Sequence, residues 1–297
     1  MREPYPLAIT PLLPQFLTRR RAAADYPLRA MERLGLDRPS YFFMLDLGIQ
    51  DPAGARPQDI GNATYRTTDV PIRSTAAAAE SAGLITWSDG RWSLTSSGRG
   101  ALDAFRWAID AHYASLVPIP LGELEELAGL LDQAYRAAAA AADPKTRDHT
   151  PRGARYRWQE PTSPMARLDA AIYGLWQVRD DCHVQAWSDA ALPGPALDVL
   201  TKVWRGEAKT AQELSGAARP EADTRIALQQ LRDAGFLAPA QDGTDGPELA
   251  VTARGAGARE RIEAETDRYF FSPWPDGVGG RAAWIADRLG AVNAALA

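Results

Sequence analysis

One register of 157 positions runs through this chain twice. Leu94-Thr95-Ser96-Ser97-Gly98-Arg99-Gly100 opens a stretch that reaches Asp110-Ala111-His112-Tyr113 and Pro118. Val251-Thr252-Ala253-Arg254-Gly255-Ala256-Gly257 opens a second that reaches Asp267-Arg268-Tyr269-Phe270 and Pro275. The matching Thr, two Gly, Asp and Pro all keep this spacing. Each copy also follows an Ala-Gly-apolar step, Ala82-Gly83-Leu84 and Ala234-Gly235-Phe236. A period far above the ~20–50 residues of solenoid repeats indicates a duplicated domain. The 297 residues fit two domains, given about 100–200 residues for each. The expected division is residues 1–142, a Pro/Arg-rich linker over 143–164, and residues 165–297.

Composition narrows the function classes. Hydrophobic content of 45% and 24% charged residues supply a core for each half. Cys182 is the only cysteine, which excludes an intrachain disulfide and a thiolate metal cluster; a buried small hydrophobe is expected there. Three histidines, His112, His149 and His183, are too few for a multi-histidine metal site unless nearly all of them join it, and no cofactor or metal is expected. No apolar run approaches the roughly 20 residues of a membrane helix, and no secretory pattern opens the chain, so a cytoplasmic protein is expected. A net charge of −5 argues against indiscriminate nucleic-acid binding and leaves room for a local basic face.

The element order is the same in both halves. In the first, a helix-prone stretch from Gln15 breaks near Asp37-Arg38-Pro39, and an apolar helix covers Ser40 to Gly48. A helix entry follows at Arg56–Ile60, then a helix from Thr67-Thr68-Asp69-Val70-Pro71 through the alanines 76–79. Leu84–Trp87 and Arg91–Leu94 read as strands joined through Ser88-Asp89-Gly90, a strong hairpin signal. Long helices from Ser97 and from Leu121 close the half. In the second, Pro195–Leu200, Thr210–Leu214, Glu221–Ala234, a wing over 241–247 and a helix from Thr252 repeat the order. Three helices, a hairpin and a helix make a winged helix-turn-helix, so the expected fold is mainly α with small β-wings.

From Ala82-Gly83-Leu84-Ile85 through Asp89-Gly90-Arg91, Leu94-Thr95 and Gly98 to Leu121-Gly122-Glu123-Leu124, the first half resembles the MarR family of winged-helix regulators. The second half resembles it more weakly. The resemblance implies double-stranded DNA as partner, with a recognition helix in the major groove and the wing arginine, here Arg91, in the minor groove. Groove-facing candidates are Arg66, Thr68, Arg73, Ser74 and Thr75 in the first copy and Thr224 and Arg225 in the second. The second copy departs from the pattern: Glu221 and Asp223 open its helix, and its wing is acidic and lacks arginine. MarR-like proteins dimerise through terminal helices, so a fused duplicate implies a pseudo-dimer within one chain, with higher assembly left open.

The nine tryptophans either fill the core between long helices or line an effector pocket, which the resemblance implies for a small aromatic or apolar ligand. The pocket candidates are Trp107, Tyr113, Trp176, Trp187, Tyr269 and Trp274, with Arg106, His112, Arg179 and His183 as polar groups. An enzyme role has thin support, and no catalytic residue is assigned. Asp180, Asp181 and His183 read as a solvated helix face, and Glu263, Glu265 and Asp267 alternate along a helix, where residues two apart do not share a face. No phosphate loop or nucleophile elbow occurs. The alternative to a DNA-binding regulator is a repurposed scaffold that binds a small molecule or carries out chemistry in an aromatic pocket, without DNA.

Overall fold

Side-chain caps fix the starts of five helices among the described residues. The computed structural model describes residues 5–22, 32–60, 70–156, 163–216, 219–238 and 248–297. Helix α1, Leu12–Arg19, is followed by α2, Arg38–Gln50, where the Asp37 carboxylate accepts the Ser40 N–H at 2.8 Å ahead of Pro39. A 3₁₀ turn covers Pro57–Asp59, and α3 covers Val70–Ser81. Strands β1, Ile85–Ser88, and β2, Arg91–Leu94, pair antiparallel in the register Ile85↔Leu94 to Ser88↔Arg91. Their turn is the expected Asp-Gly pair, with φ of 50° at Asp89 and 75° at Gly90, as a two-residue hairpin of right-handed twist requires. Ala55 adds a bridge to Trp92 at the hairpin edge.

Helices α4, Ser96–Ser115, and α5, Leu121–Ala140, follow. The segment expected as a linker contains helix α6, Thr150–Tyr156, and leads to α7, Pro164–Asp189. Then come α8, Gly194–Trp204; α9, Ala211–Leu214, with a Thr210/Glu213 capping box; and α10, Glu221–Asp233. A bridge between Leu237 and Val251 stands where the second wing is expected, and residues 241–247 of that wing lie outside the described residues. Helix α11, Ala253–Phe271, the short α12, Asp276–Gly279, and α13, Ala282–Ala295, complete a mainly helical chain.

Three apolar clusters organise these elements. A central one joins α1, the end of α4, α5, α7, the end of α11 and α13 through residues such as Phe16, Tyr113, Leu131, Leu175, Phe270 and Leu289. Helix α7 is about 39 Å long at 1.5 Å per residue. It is buried on most of its circumference, which explains its weak amphipathic pattern. The second cluster holds α2, α3, the hairpin and the start of α4 around Trp92 and Phe105. The third holds the end of α7, α8, α10 and the start of α11 around Leu200 and Leu231.

The sequence pattern that recurs 157 positions apart takes the same local geometry at both places. The Thr95 hydroxyl accepts the Gly98 N–H at 3.0 Å and donates to the Gly83 carbonyl at 2.8 Å. Thr252 accepts the Gly255 N–H at 3.0 Å and donates to the Gly235 carbonyl at 2.7 Å. Gly83 and Gly235 have φ of 68° and 69°. At both places the threonine ties the end of the preceding helix to the start of the next.

Candidate functional site

The face of the hairpin turned toward α3 carries a short stack of side chains. The Arg73 guanidinium, on exposed α3, lies 4.7 Å from the Trp87 ring centroid, and Trp87 lies 4.6 Å from Trp92. Trp92 is held from below, its indole N–H donating to Glu80 at 2.8 Å. Ser74 is exposed beside Arg73, whereas Thr75 is half-buried and its carbonyl accepts the Ser40 hydroxyl at 2.9 Å. Arg91 reaches Gly54 O at 3.5 Å and Asp59 at 3.9 Å. Asp59 is already taken by Arg56, which donates to it at 3.1 Å through Nε and at 2.8 Å through its backbone N–H. The Arg91 pair is therefore long and exposed, the kind of pair worth about 0–1 kcal/mol, and Arg91 can leave it for another anion. Arg66 and Thr68 lie outside the described residues.

The corresponding face of α10 is different. Arg225 is exposed and 3.7 Å from Glu221. Thr224 is only 1% exposed; it donates to Pro220 O at 3.3 Å and accepts the Ser215 hydroxyl at 3.0 Å. Thr224 thus belongs to the core side of α10, which corrects its place among the groove-facing candidates. Its burial follows from the spacing Thr224, Ala227, Leu228, Leu231, one apolar stripe.

The expected aromatic pocket does not form as one site. Trp107 is 77% exposed, and Arg106 donates to Gly48 O at 3.3 Å on the side of α4 that meets α2. His112 contacts the Arg20 carbonyl at 3.2 Å, and Tyr113 is buried, accepting from Arg21 at 2.9 Å. Trp187 packs into the third cluster, and Trp274 packs on Phe270 and Phe271. Tyr269 donates to Asp189 at 3.0 Å. These side chains sit against different partners, although Trp187 also meets the His183 ring edge-on at 5.2 Å.

Three of the candidates, Trp176, Arg179 and His183, do meet, in a cleft of about 510 Å³ where α7, α8 and α11 converge beside the N-terminal turn of Thr10 and Pro11. Its chemistry is ionic more than aromatic. Buried Arg259 pairs with Glu263 at 2.5 Å and donates to Thr201 at 2.8 Å, while its Nη1 has no hydrogen-bond partner among the described residues. Arg179 reaches Glu263 at 3.2 Å and Asp267 at 3.1 Å. Burial opposes ionisation of Glu263, but Arg259 and Arg179 outweigh it and lower its pKa. Burial pushes His183 down to about 4, despite Glu263 nearby, so the ring is neutral at pH 7. Its Nδ1 lies 2.9 Å from the Thr266 hydroxyl, which itself donates to Ile262 O; the ring proton therefore sits on Nδ1. Burial raises the Asp180 carboxyl to about 6, and its Oδ2 has no hydrogen-bond partner among the described residues. The cleft thus offers one unfilled donor and one unfilled carboxyl oxygen.

Asp181 is not on a solvated face. It is fully buried and accepts the backbone N–H groups of Asp148, His149 and Thr150 at 2.7–2.9 Å, the His149 ring at 3.0 Å and the Thr150 hydroxyl at 2.6 Å. Burial raises its pKa, yet these bonds dominate and hold it below the ordinary carboxylate value. Cys182 beside it is buried, as expected, and burial pushes its thiol up to about 12. Sequence reasoning missed Arg259, Asp180 and this cap. The signal was present for α11, where Arg259, Glu263 and Asp267 recur every fourth residue and share a face.

The model of a helix-turn-helix family matches residues 53–297, from the hairpin cluster through α13. The chain belongs to this helix-turn-helix family. Family membership points to DNA as partner and to transcription control as role. Comparison with curated proteins and with solved structures gave no match. Among the described residues of this helix-turn-helix protein, no helix is long and apolar enough to cross a membrane.

Proposed function

We propose that this helix-turn-helix protein is a cytoplasmic, DNA-binding transcriptional regulator of MarR-like type. Its two halves are tandem winged-helix domains that pair within one chain. The observation that carries the DNA part is the solvent-facing placement of Arg73 and Ser74 on α3 and of Arg91 on the opposite face of the adjoining hairpin, with Arg91 held by a long ion pair and a 3.5 Å contact to Gly54 O. Guanidinium and hydroxyl groups of this kind suit phosphate and base-edge contacts. The twofold Thr-Gly geometry supports the duplication, and the packing of α5, α7 and α13 into one core supports the intramolecular pair. The first copy supplies most of the DNA contacts, since Thr224 is buried and Glu221 and Asp223 crowd the start of α10. The cleft at Arg179, His183 and Arg259 is the effector site, suited to a small organic acid whose apolar part lies on Trp176.

The test is fluorescence anisotropy on duplex DNA from upstream of its own operon and on mixed genomic fragments, at two salt concentrations. Binding that weakens as salt rises is expected. Absence of binding at micromolar protein overturns the DNA part. A ligand-binding scaffold without DNA is then favoured by the unfilled polar atoms of Arg259 and Asp180.

A further inference from the structure

A second cleft, of about 490 Å³, lies between the winged face of the first copy and the segment that joins the two copies. Arg56 and Asp59 of the 3₁₀ turn line one side, with Gln50 at the end of α2. Arg147, Asp148, Arg152 and Arg155 line the other. Four guanidinium groups thus face two carboxylates. Their engagement is uneven. Arg56 is paired with Asp59, and Arg152 with Asp46 at 2.8 Å. Arg155 is held by the neutral side-chain oxygen of Gln50, and Arg147 by the backbone carbonyl of Ala141. Among the described residues neither has a carboxylate within ion-pair distance, and Arg147 Nη1 is buried with no hydrogen-bond partner. Four guanidinium groups beside Asp59, Asp148 and Asp46 leave the recess with an excess of positive charge, and two of its arginines lack the carboxylate partner that most arginines among the described residues have.

We propose that this cleft is a binding site for a phosphate group. Guanidinium forks match phosphate oxygens in geometry and charge, and two unneutralised arginines suit a dianion. The volume lies within the ~300–1,000 Å³ usual for ligand sites. The arginines are also held in place before any ligand arrives. Asp181 fastens residues 148–150 through five hydrogen bonds, and Gly153 of α6 packs so closely on α7 that a Cβ would stand 3.0 Å from Gly174 Cα. A rigid segment loses little freedom on binding. Asp59 borders both the cleft and Arg91 of the hairpin, so the phosphate can belong to a free phosphoester or to the backbone of DNA lying on the winged face.

The experiment uses the full chain with pyrophosphate as probe, followed by isothermal titration, together with the salt dependence of DNA binding. The variants are Arg155→Gln, Arg147→Gln and the pair, with Arg136→Gln on α5 as control; thermal melts confirm folding. Loss of pyrophosphate affinity by at least about tenfold in the double variant, with the control unchanged, assigns the site to a free phosphoester. No pyrophosphate binding, but a salt slope for DNA reduced by about two in the double variant, assigns it to the DNA backbone. Pyrophosphate binding that ignores both arginines, or no binding and an unchanged slope, overturns the proposal. Should the double variant melt early, Arg155→Gln alone decides, because Arg155 is exposed. Pyrophosphate binding without DNA binding leaves this site standing while the regulator proposal falls.

Discussion

Gly98 lies directly beneath the Leu84 backbone: a Cβ at Gly98 would stand 1.9 Å from the Leu84 carbonyl oxygen. Gly255 repeats the relationship with Phe236 at 2.2 Å. Both contacts are with backbone, which cannot rotate aside. Gly100, two residues further on, has nothing within 4 Å of its would-be Cβ. Gly98→Ala and Gly255→Ala are therefore expected to destabilise by about 1–3 kcal/mol or more, as overpacking does. Gly100→Ala is expected to stabilise by up to about 1 kcal/mol through helix propensity. Urea unfolding checks all three, and equal effects at Gly98 and Gly100 would refute the close-approach account.

The difference between the exposed faces of α3 and α10 gives a prediction for DNA. Arg91→Ala is expected to weaken binding and to lower the salt slope by about one, the loss of a single phosphate contact. Arg73→Ala is expected to weaken binding and also to alter tryptophan emission, because the guanidinium lies on Trp87. Arg225→Ala, already beside Glu221, is expected to change affinity little. A larger loss at Arg225 than at Arg91 would mean that α10 is the reader.

What was legible in the sequence was local. Asp89-Gly90 specifies its hairpin, the break at Asp37-Arg38-Pro39 marks a helix start, and apolar spacing gives the long helices, because each of these depends on neighbours a few residues away. The effector candidates were not legible as a group, since the face of α4 or α7 that meets a cleft is decided by packing among helices distant in sequence. Arg106 and Arg179 look alike along the chain, yet one meets Gly48 and the other Glu263. The charged run Asp180-Asp181-His183 misled for the same reason. Its burial depends on α6, whose seven residues carry little helical signal of their own and are held by docking on α7. Thr224 is a case where the apolar stripe was readable and chemistry by residue type was weighed above it.

The Asp181 cap should be separable from the central core. Asp181→Asn keeps shape but removes the charge that five donors address, a loss of about 2–3 kcal/mol for bonds to a charged group. The expected result is early proteolytic cleavage within residues 143–163 while the far-ultraviolet dichroism of the long helices persists. Because the folded pKa of Asp181 lies below its unfolded value, its stabilisation is present above the unfolded pKa and lost as pH falls through the folded one. Wild type at low pH should therefore develop the same cleavage. Unchanged proteolysis in the variant would show that α6 holds its place without the cap.

Asp180 and His183 set opposing pH slopes in one cleft. Asp180 titrates at about 6 in the fold, against about 3.9 unfolded. Between those values the folded chain keeps a proton that the unfolded chain releases, so this contribution falls as pH rises to 6. His183 titrates at about 4 in the fold, against about 6.5 unfolded. There the unfolded chain holds the extra proton, so this contribution is present above 6.5 and is lost as pH falls to 4. Arg179, Arg259 and Glu263 face His183, and His149, Arg179 and Arg152 face Asp180, so subtracting wild type from each variant removes what they share. Relative to wild type, Asp180→Asn should gain stability as pH rises from 4 to 6, and His183→Gln should gain as pH falls from 6.5 to 4. Urea midpoints measured across that range give the two difference curves. If both are flat, neither group is buried in the state assigned to it; if they slope in opposite directions, the cleft holds a neutral imidazole beside a carboxyl that ionises only near pH 6.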